Sequence, residues 1–120
     1  MKQAILIVCG EEYERLPFLV EQFDERFNVY IHIDKKVIVP QKLVEGLKAK
    51  TGIRWMNQSF ITNWGSMNLV NAILLLCEVA LTEEDNTHFH LISGADFPAA
   101  TNSEIIATCS SEKDNYIEFF

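Results

Sequence analysis

Apolar and polar positions along the chain switch between two periods, and each switch marks an element. Residues 4–8 are an unbroken, largely β-branched run, the pattern of a strand buried on both faces. Such a strand belongs in the middle of a sheet. Tyr13, Leu16, Val20, Phe23 and Phe27 then recur every three or four residues, which is a helical stripe. Pro17 fits that stripe only in a first turn, so the helix is expected to begin near Glu14. Residues 28–34 return to a period of two, with Val29, Ile31 and Ile33 on one face and Tyr30, His32 and Asp34 on the other. The polar face ends in a carboxylate.

Pro40 opens a weaker helix over 41–48, closed by Gly52, and residues 53–56 form a short strand. Ser66 is placed to cap the strongest helix, 67–81. Its polar positions Asn68, Asn71 and Glu78 make only a narrow stripe, so this helix is expected to be covered on most sides. Residues 88–92 read as another strand, Thr101 or Asn102 caps a helix to about Cys109, and 115–120 reads as a last strand. Strands alternating with helices specify an α/β fold: a mostly parallel twisted sheet, right-handed crossovers and helices on both faces. At 120 residues the chain is expected to form one domain. An apolar strand that stops at Phe120 without a cap or covering helix suggests a piece of a longer polypeptide.

Composition narrows the function classes. A chain that is 48% hydrophobic and 22% charged is too apolar for disorder, and its net charge of −7 argues against nucleic acid or an anionic membrane as partner. The longest apolar run, 72–77, is far below a membrane span, and the first residues lead into a strand rather than a secretion signal. Cys9, Cys77 and Cys109 are odd in number and lack Cys-x-x-Cys spacing, so free thiols in a reducing, cytoplasmic compartment are expected.

In parallel α/β sheets, ligands collect at the carboxyl ends of the strands. Asp34 stands at such an end, where an acid accepts hydrogen bonds from a ribose hydroxyl or a base imino group; the alternative is a strand-end charge paired with Lys35 or Lys36. Asp96 follows Ser93-Gly94-Ala95 in a turn closed by Phe97-Pro98. Metal-using sugar-nucleotide enzymes place Asp-x-Asp in such a turn, because hard cations need several anionic oxygens, and here the spaced pair is Gly94 and Asp96. One acid is too few. Asp96 is left with sugar or acceptor hydroxyls, or with bracing an Asx-type turn. His32 and Asp34 share one strand face and His88 and His90 another, and two facing strands would bring four metal ligands together; satisfied core histidines are commoner, and no metal is expected. Trp64-Gly65-Ser66 before the long helix offers an aromatic wall and backbone donors, or ordinary helix-start chemistry. The chain lacks Gly-x-Gly-x-x-Gly after the first strand, a Gly-Lys-Ser/Thr cradle and a Gly-x-Ser-x-Gly elbow, which disfavours oxidoreductase, kinase and serine-hydrolase readings.

Three stretches in order carry a resemblance: Tyr30-Ile31-His32-Ile33-Asp34-Lys35-Lys36, then Trp64-Gly65-Ser66 with its Leu-rich helix, then His90-Leu91-Ile92-Ser93-Gly94-Ala95-Asp96-Phe97-Pro98 followed by Thr101-Asn102-Ser103-Glu104-Ile105. In order and spacing they resemble the core-2/I-branching glycosyltransferase family, over most of the chain and its N-terminal part. The resemblance implies a GT-A-like, Rossmann-like nucleotide-sugar-binding half. It also implies inverting, metal-independent transfer, of N-acetylglucosamine from UDP-GlcNAc in animal members and of xylose in relatives. It would give Asp34 the uridine, with Cys9, Gly10 and Trp64 beside the nucleotide, and give Gly94, Asp96 and Glu118 the sugar and acceptor. The UDP-sugar is then a co-substrate and a glycan hydroxyl the acceptor, with no other cofactor. The general base and the cations that neutralise the diphosphate are expected beyond Phe120. Family members usually carry an Ala-His-Lys/Arg-like sequence after the first strand, where this chain has Cys9-Gly10-Glu11. Without the membrane anchor of the animal enzymes, the chain looks like a bacterial cytoplasmic member working on surface polysaccharide, the full-length protein meeting membranes at most peripherally.

Overall fold

The computed structural model describes residues 1–63 and 65–109. Within them the chain runs β1 (Lys2–Cys9), a 3-10 turn (Glu11–Arg15), α1 (Leu16–Val20), β2 (Phe27–Ile33), α2 (Gln41–Lys48), β3 (Ile53–Asn57), α3 (Met67–Leu81), β4 (Asn86–Ser93) and α4 (Asn102–Cys109). The four strands are parallel in the order β3-β2-β1-β4. β1 and β2 are therefore internal; the unbroken apolar run of β1 follows from burial on both faces, and β2 is buried along its whole length although its sequence alternates. Leu16, Leu19 and Val20 of α1, Leu47 of α2 and Ile105 and Ile106 of α4 pack with Ile5, Ile7, Val29 and Ile31 on one face. Leu76 and Ala80 of α3 pack with Ala4, Leu6 and Tyr30 on the other. Helices cover both faces, as the alternation of periods predicts. The strand expected at 115–120 lies outside the described residues.

The helical stripe from Tyr13 to Phe27 is corrected. α1 begins at Leu16 with Pro17 in its first turn and ends at Val20, while Phe27 opens β2. Asp24 ends the helical path: its carboxylate accepts from the Arg26 amide at 3.0 Å, its carbonyl from the Phe27 amide at 3.1 Å, and the chain turns. Phe23 and Phe27 still meet, edge to face at 5.3 Å between ring centres. A spacing of four matched a helix, but a turn produces the same contact.

α3 has the boundaries the sequence implies. Gly65 takes φ +74°, where a side chain is disfavoured, and Ser66 then caps the helix, its Oγ accepting from the Leu69 amide at 3.3 Å. Its expected coverage is corrected. Only Ala72, Leu76 and Ala80, one stripe at four-residue spacing, are buried against the sheet, and Met67, Val70, Leu74 and Leu81 are exposed among the described residues. A sheet covers a helix from one side only.

The amino end of the sheet is locked by polar bonds. The Tyr30 hydroxyl donates to Glu83 at 2.8 Å and accepts from Asn86 at 2.8 Å, Asn28 donates to Asn86 at 2.9 Å, and Arg54 pairs with Glu83 at 3.0 Å. Burial pushes the Tyr30 phenol up to about 12, so it stays a neutral donor. This network ties the end of α3 to the starts of the strands.

Candidate functional site

Parallel pairing brings the ends of β1, β2 and β4 side by side. Cys9 closes β1, and its carbonyl accepts from the Asp34 amide at 2.8 Å, extending the ladder past β2. On the other flank the Gly94 amide donates to the Val8 carbonyl at 2.9 Å. A Cβ added at Gly94 would lie 2.6 Å from the Cys9 sulfur, 3.1 Å from its Cβ and 3.2 Å from Glu12, so the close approach of the two strand ends requires glycine there. Asp34, Cys9 and Gly94, three residues distant in sequence, thus form one continuous rim. Gly10 follows on it, its amide donating to the Glu12 carboxylate at 3.2 Å.

Asp34 is only 3% exposed. A strap, residues 58–63, crosses over it after β3. Its Oδ1 accepts from the Lys36 amide at 3.1 Å and the Thr62 amide at 3.3 Å, and its Oδ2 pairs with the Lys36 ammonium at 3.3 Å. Gln58 Nε2 donates to the Asp34 and Val37 carbonyls, at 3.2 and 3.0 Å, the Lys35 amide donates to the Phe60 carbonyl at 2.9 Å, and Lys36 Nζ donates to Asn63 at 2.7 Å. Burial works against ionisation of Asp34, but the Lys36 amide and ammonium and the Thr62 amide outweigh it and hold the carboxyl below its ordinary value. The carboxylate is charged at neutral pH. Both alternatives for Asp34 meet in this geometry, because it is paired with Lys36 and it also stands on the rim. Oδ2 is held by the Lys36 ammonium, a side chain that is 48% exposed.

The turn after β4 is braced internally. Asp96 accepts from the Ser93 amide at 2.7 Å, and Ser93 Oγ accepts from the Ala95 amide at 3.2 Å. Arg15 Nη1 donates to the Ala95 carbonyl at 2.6 Å, tying the 3-10 turn to this loop. Asp96 is exposed and borders a cleft of ≈ 280 Å³ with His90, Phe97 and Ile105. Burial pushes the Cys9 thiol up to about 12, the nearby Glu12 charge adding to the effect, so Cys9 is a packing residue of the rim and no thiolate.

The four-ligand arrangement is overturned by register. His32 pairs with Val8 while His88 and His90 pair with Gln3 and Ile5, and paired residues of a parallel sheet share a face. Position 8 and positions 3 and 5 point to opposite sides, so the histidines cannot converge. Among the described residues no three His, Cys, Asp or Glu side chains cluster. Trp64 and Glu118, the remaining candidates, lie outside the described residues. Sequence reasoning missed Gln58 and Thr62, which tie the strap to Asp34 and its backbone, and His32 as the acceptor for the Phe60 amide; the hint was the mostly polar stretch after β3.

A family model described as Core-2/I-Branching enzyme matches residues 4–120. Xylosyltransferase 2 of Canis lupus familiaris and that of Homo sapiens are each 28% identical over 116 residues, covering 92% of this chain and 13% of the relative. The Rattus norvegicus protein of the same name is 27% identical over 114 residues. The chain therefore spans about 13% of the length of these relatives. Among the described residues no helix is long and apolar enough to cross a membrane.

Proposed function

Because the chain belongs to the core-2/I-branching enzyme family, we propose that it is the nucleotide-facing part of an inverting, metal-independent glycosyltransferase. The donor is a UDP-sugar and the acceptor a glycan hydroxyl. In such a transfer the acceptor oxygen attacks the anomeric carbon, its proton passes to a base, and the bond to the diphosphate breaks as UDP leaves. Residues 1–120 contribute alignment of the donor. On this reading the base and the cations opposite the diphosphate come from polypeptide outside these residues. The transferred sugar on this reading is GlcNAc-like; the relatives are named for xylosyl transfer.

The observation that carries the reading is the rim itself. Asp34 is ionised, sits at the carboxyl edge of a parallel sheet, and is bonded through its amide to Cys9, which packs on Gly94. A second reading, a non-catalytic module that keeps the fold, is favoured by the strap over Asp34 and by Glu11 beside the nucleotide position. Calorimetric titration separates the two. UDP is expected to bind the chain equally with and without a chelator, and Asp34→Asn to weaken it at least tenfold, about 1.4 kcal/mol. Absence of UDP and UDP-sugar binding supports the module, and equal affinity in Asp34→Asn removes Asp34 from the site.

A further inference from the structure

His32 is fully buried on the α3 face of β2, one residue from the end of the strand. Its Nε2 accepts a hydrogen bond from the Phe60 amide at 3.1 Å, and the two rings stack with centres 6.0 Å apart. A nitrogen that accepts carries no proton, so the ring is the neutral tautomer with its hydrogen on Nδ1. Nδ1 has no hydrogen-bond partner among the described residues. Phe60 is thereby fixed at both backbone groups, its amide by His32 and its carbonyl by the Lys35 amide. Two residues further on, the Thr62 amide meets Asp34 Oδ1. The strap is thus hinged on His32.

We propose that His32 is the positioning residue of the rim: its neutral Nε2 anchors Phe60, which sets the Thr62 amide against Asp34 and couples the nucleotide contact to the charge of a buried imidazole. The functional half of this statement rests on the reading of Asp34 given above. Protonation of Nε2 would place two N–H donors face to face, and the anchor would be lost. Few charges oppose or assist that event. Asp34, on the same strand face, favours the cation, and Lys36 pairs with Asp34. The strap 58–63, Val8 of β1 and Asn57 of β3 bring no charge, and α3 carries only Glu78. Burial dominates and holds His32 neutral below its ordinary value.

Residue-resolved amide hydrogen exchange on the whole chain tests this. In the wild type, protection factors at Phe60 and Thr62 are expected to fall at least tenfold as the pH is lowered from 6.5 toward 3.8, a range in which Asp34 remains ionised. His32→Gln, which keeps an acceptor at the same reach but does not titrate, should retain protection and lose the pH dependence. His32→Phe, which keeps a ring for Phe60 but no acceptor, should lose protection at both pH values, with Leu6 and Ile31 reporting an intact sheet. Unchanged Thr62 protection in His32→Phe, or the same acid loss in His32→Gln, overturns the proposal. Should His32→Phe fail to fold, the comparison of wild type with His32→Gln decides alone. UDP affinity is measured on the same samples: parallel loss on acidification in the wild type only supports the coupling, and UDP bound by no form overturns the nucleotide reading without touching the exchange result.

Discussion

Gly94→Ala should destabilise the chain by about 3 kcal/mol, the upper end for overpacking a tight contact, which lowers Tm by roughly 12 °C at this length. The backbone does not forbid alanine there, since Gly65 is the residue recorded with positive φ. Space forbids it. The new Cβ would stand 2.6 Å from the Cys9 sulfur and 3.2 Å from Glu12, and Cys9 is a buried strand end. The neighbours that give way are β1 and β4 themselves, so the rim opens where Gly10 and Asp96 flank it. A double-mutant cycle identifies the cause: Cys9→Ala removes the sulfur and should recover most of the loss, leaving the 3.1 Å approach to the Cys9 Cβ. Additive losses in the double variant, by thermal or urea melts, would mean that the contact is not the source.

The second large effect is at Asp34. Asp34→Ala removes the acceptor of the Lys36 and Thr62 amides beneath the strap, leaving two donors unpaired at a cost of about 3 kcal/mol at pH 7. Asp34→Asn keeps an oxygen for the amides and should cost about 1 kcal/mol, the charge-assisted share of those bonds. The pH dependence has a definite sign. The folded carboxyl titrates below its ordinary value of 3.8, so its contribution is complete above that value and is lost as pH falls through the lower folded one. The gap between wild type and Asp34→Ala should therefore begin to narrow as pH falls below 3.8. His32 and His90 act earlier. Burial lowers both, so the unfolded chain takes up their protons first, and stability should begin to fall as pH drops below 6.5, while Asp34 is still ionised. A wild-type stability curve flat from pH 7 to 4 would contradict the lowered titration of the two histidines.

Much of the frame was legible in the sequence because it rests on local signals. The start of Met67–Leu81 was marked by Gly65 and the Ser66 cap, and β1 announced its burial through an unbroken apolar run. The placing of Asp34 at a strand end followed from the period-two pattern before it. What stayed hidden depends on pairing between distant segments. The parity that sends His32 to one face and His90 to the other is set by register against β1, which no local pattern encodes. The strap is visible in sequence only as a mostly polar stretch, since its bonds join residues 21 to 28 positions apart. The Cys9–Gly94 contact is of the same kind. Phe27 was misread because a spacing of four serves a turn as well as a helix.

The account places ligand recognition at the carboxyl rim of the sheet, and the direct test is a UDP titration followed by backbone amide shifts. Saturable changes should gather on residues 9–12, 34–37, 58–63 and 93–96. Changes centred instead on the cleft at the opposite edge, around Glu21, Asp24, Lys50 and Gly52, would contradict it.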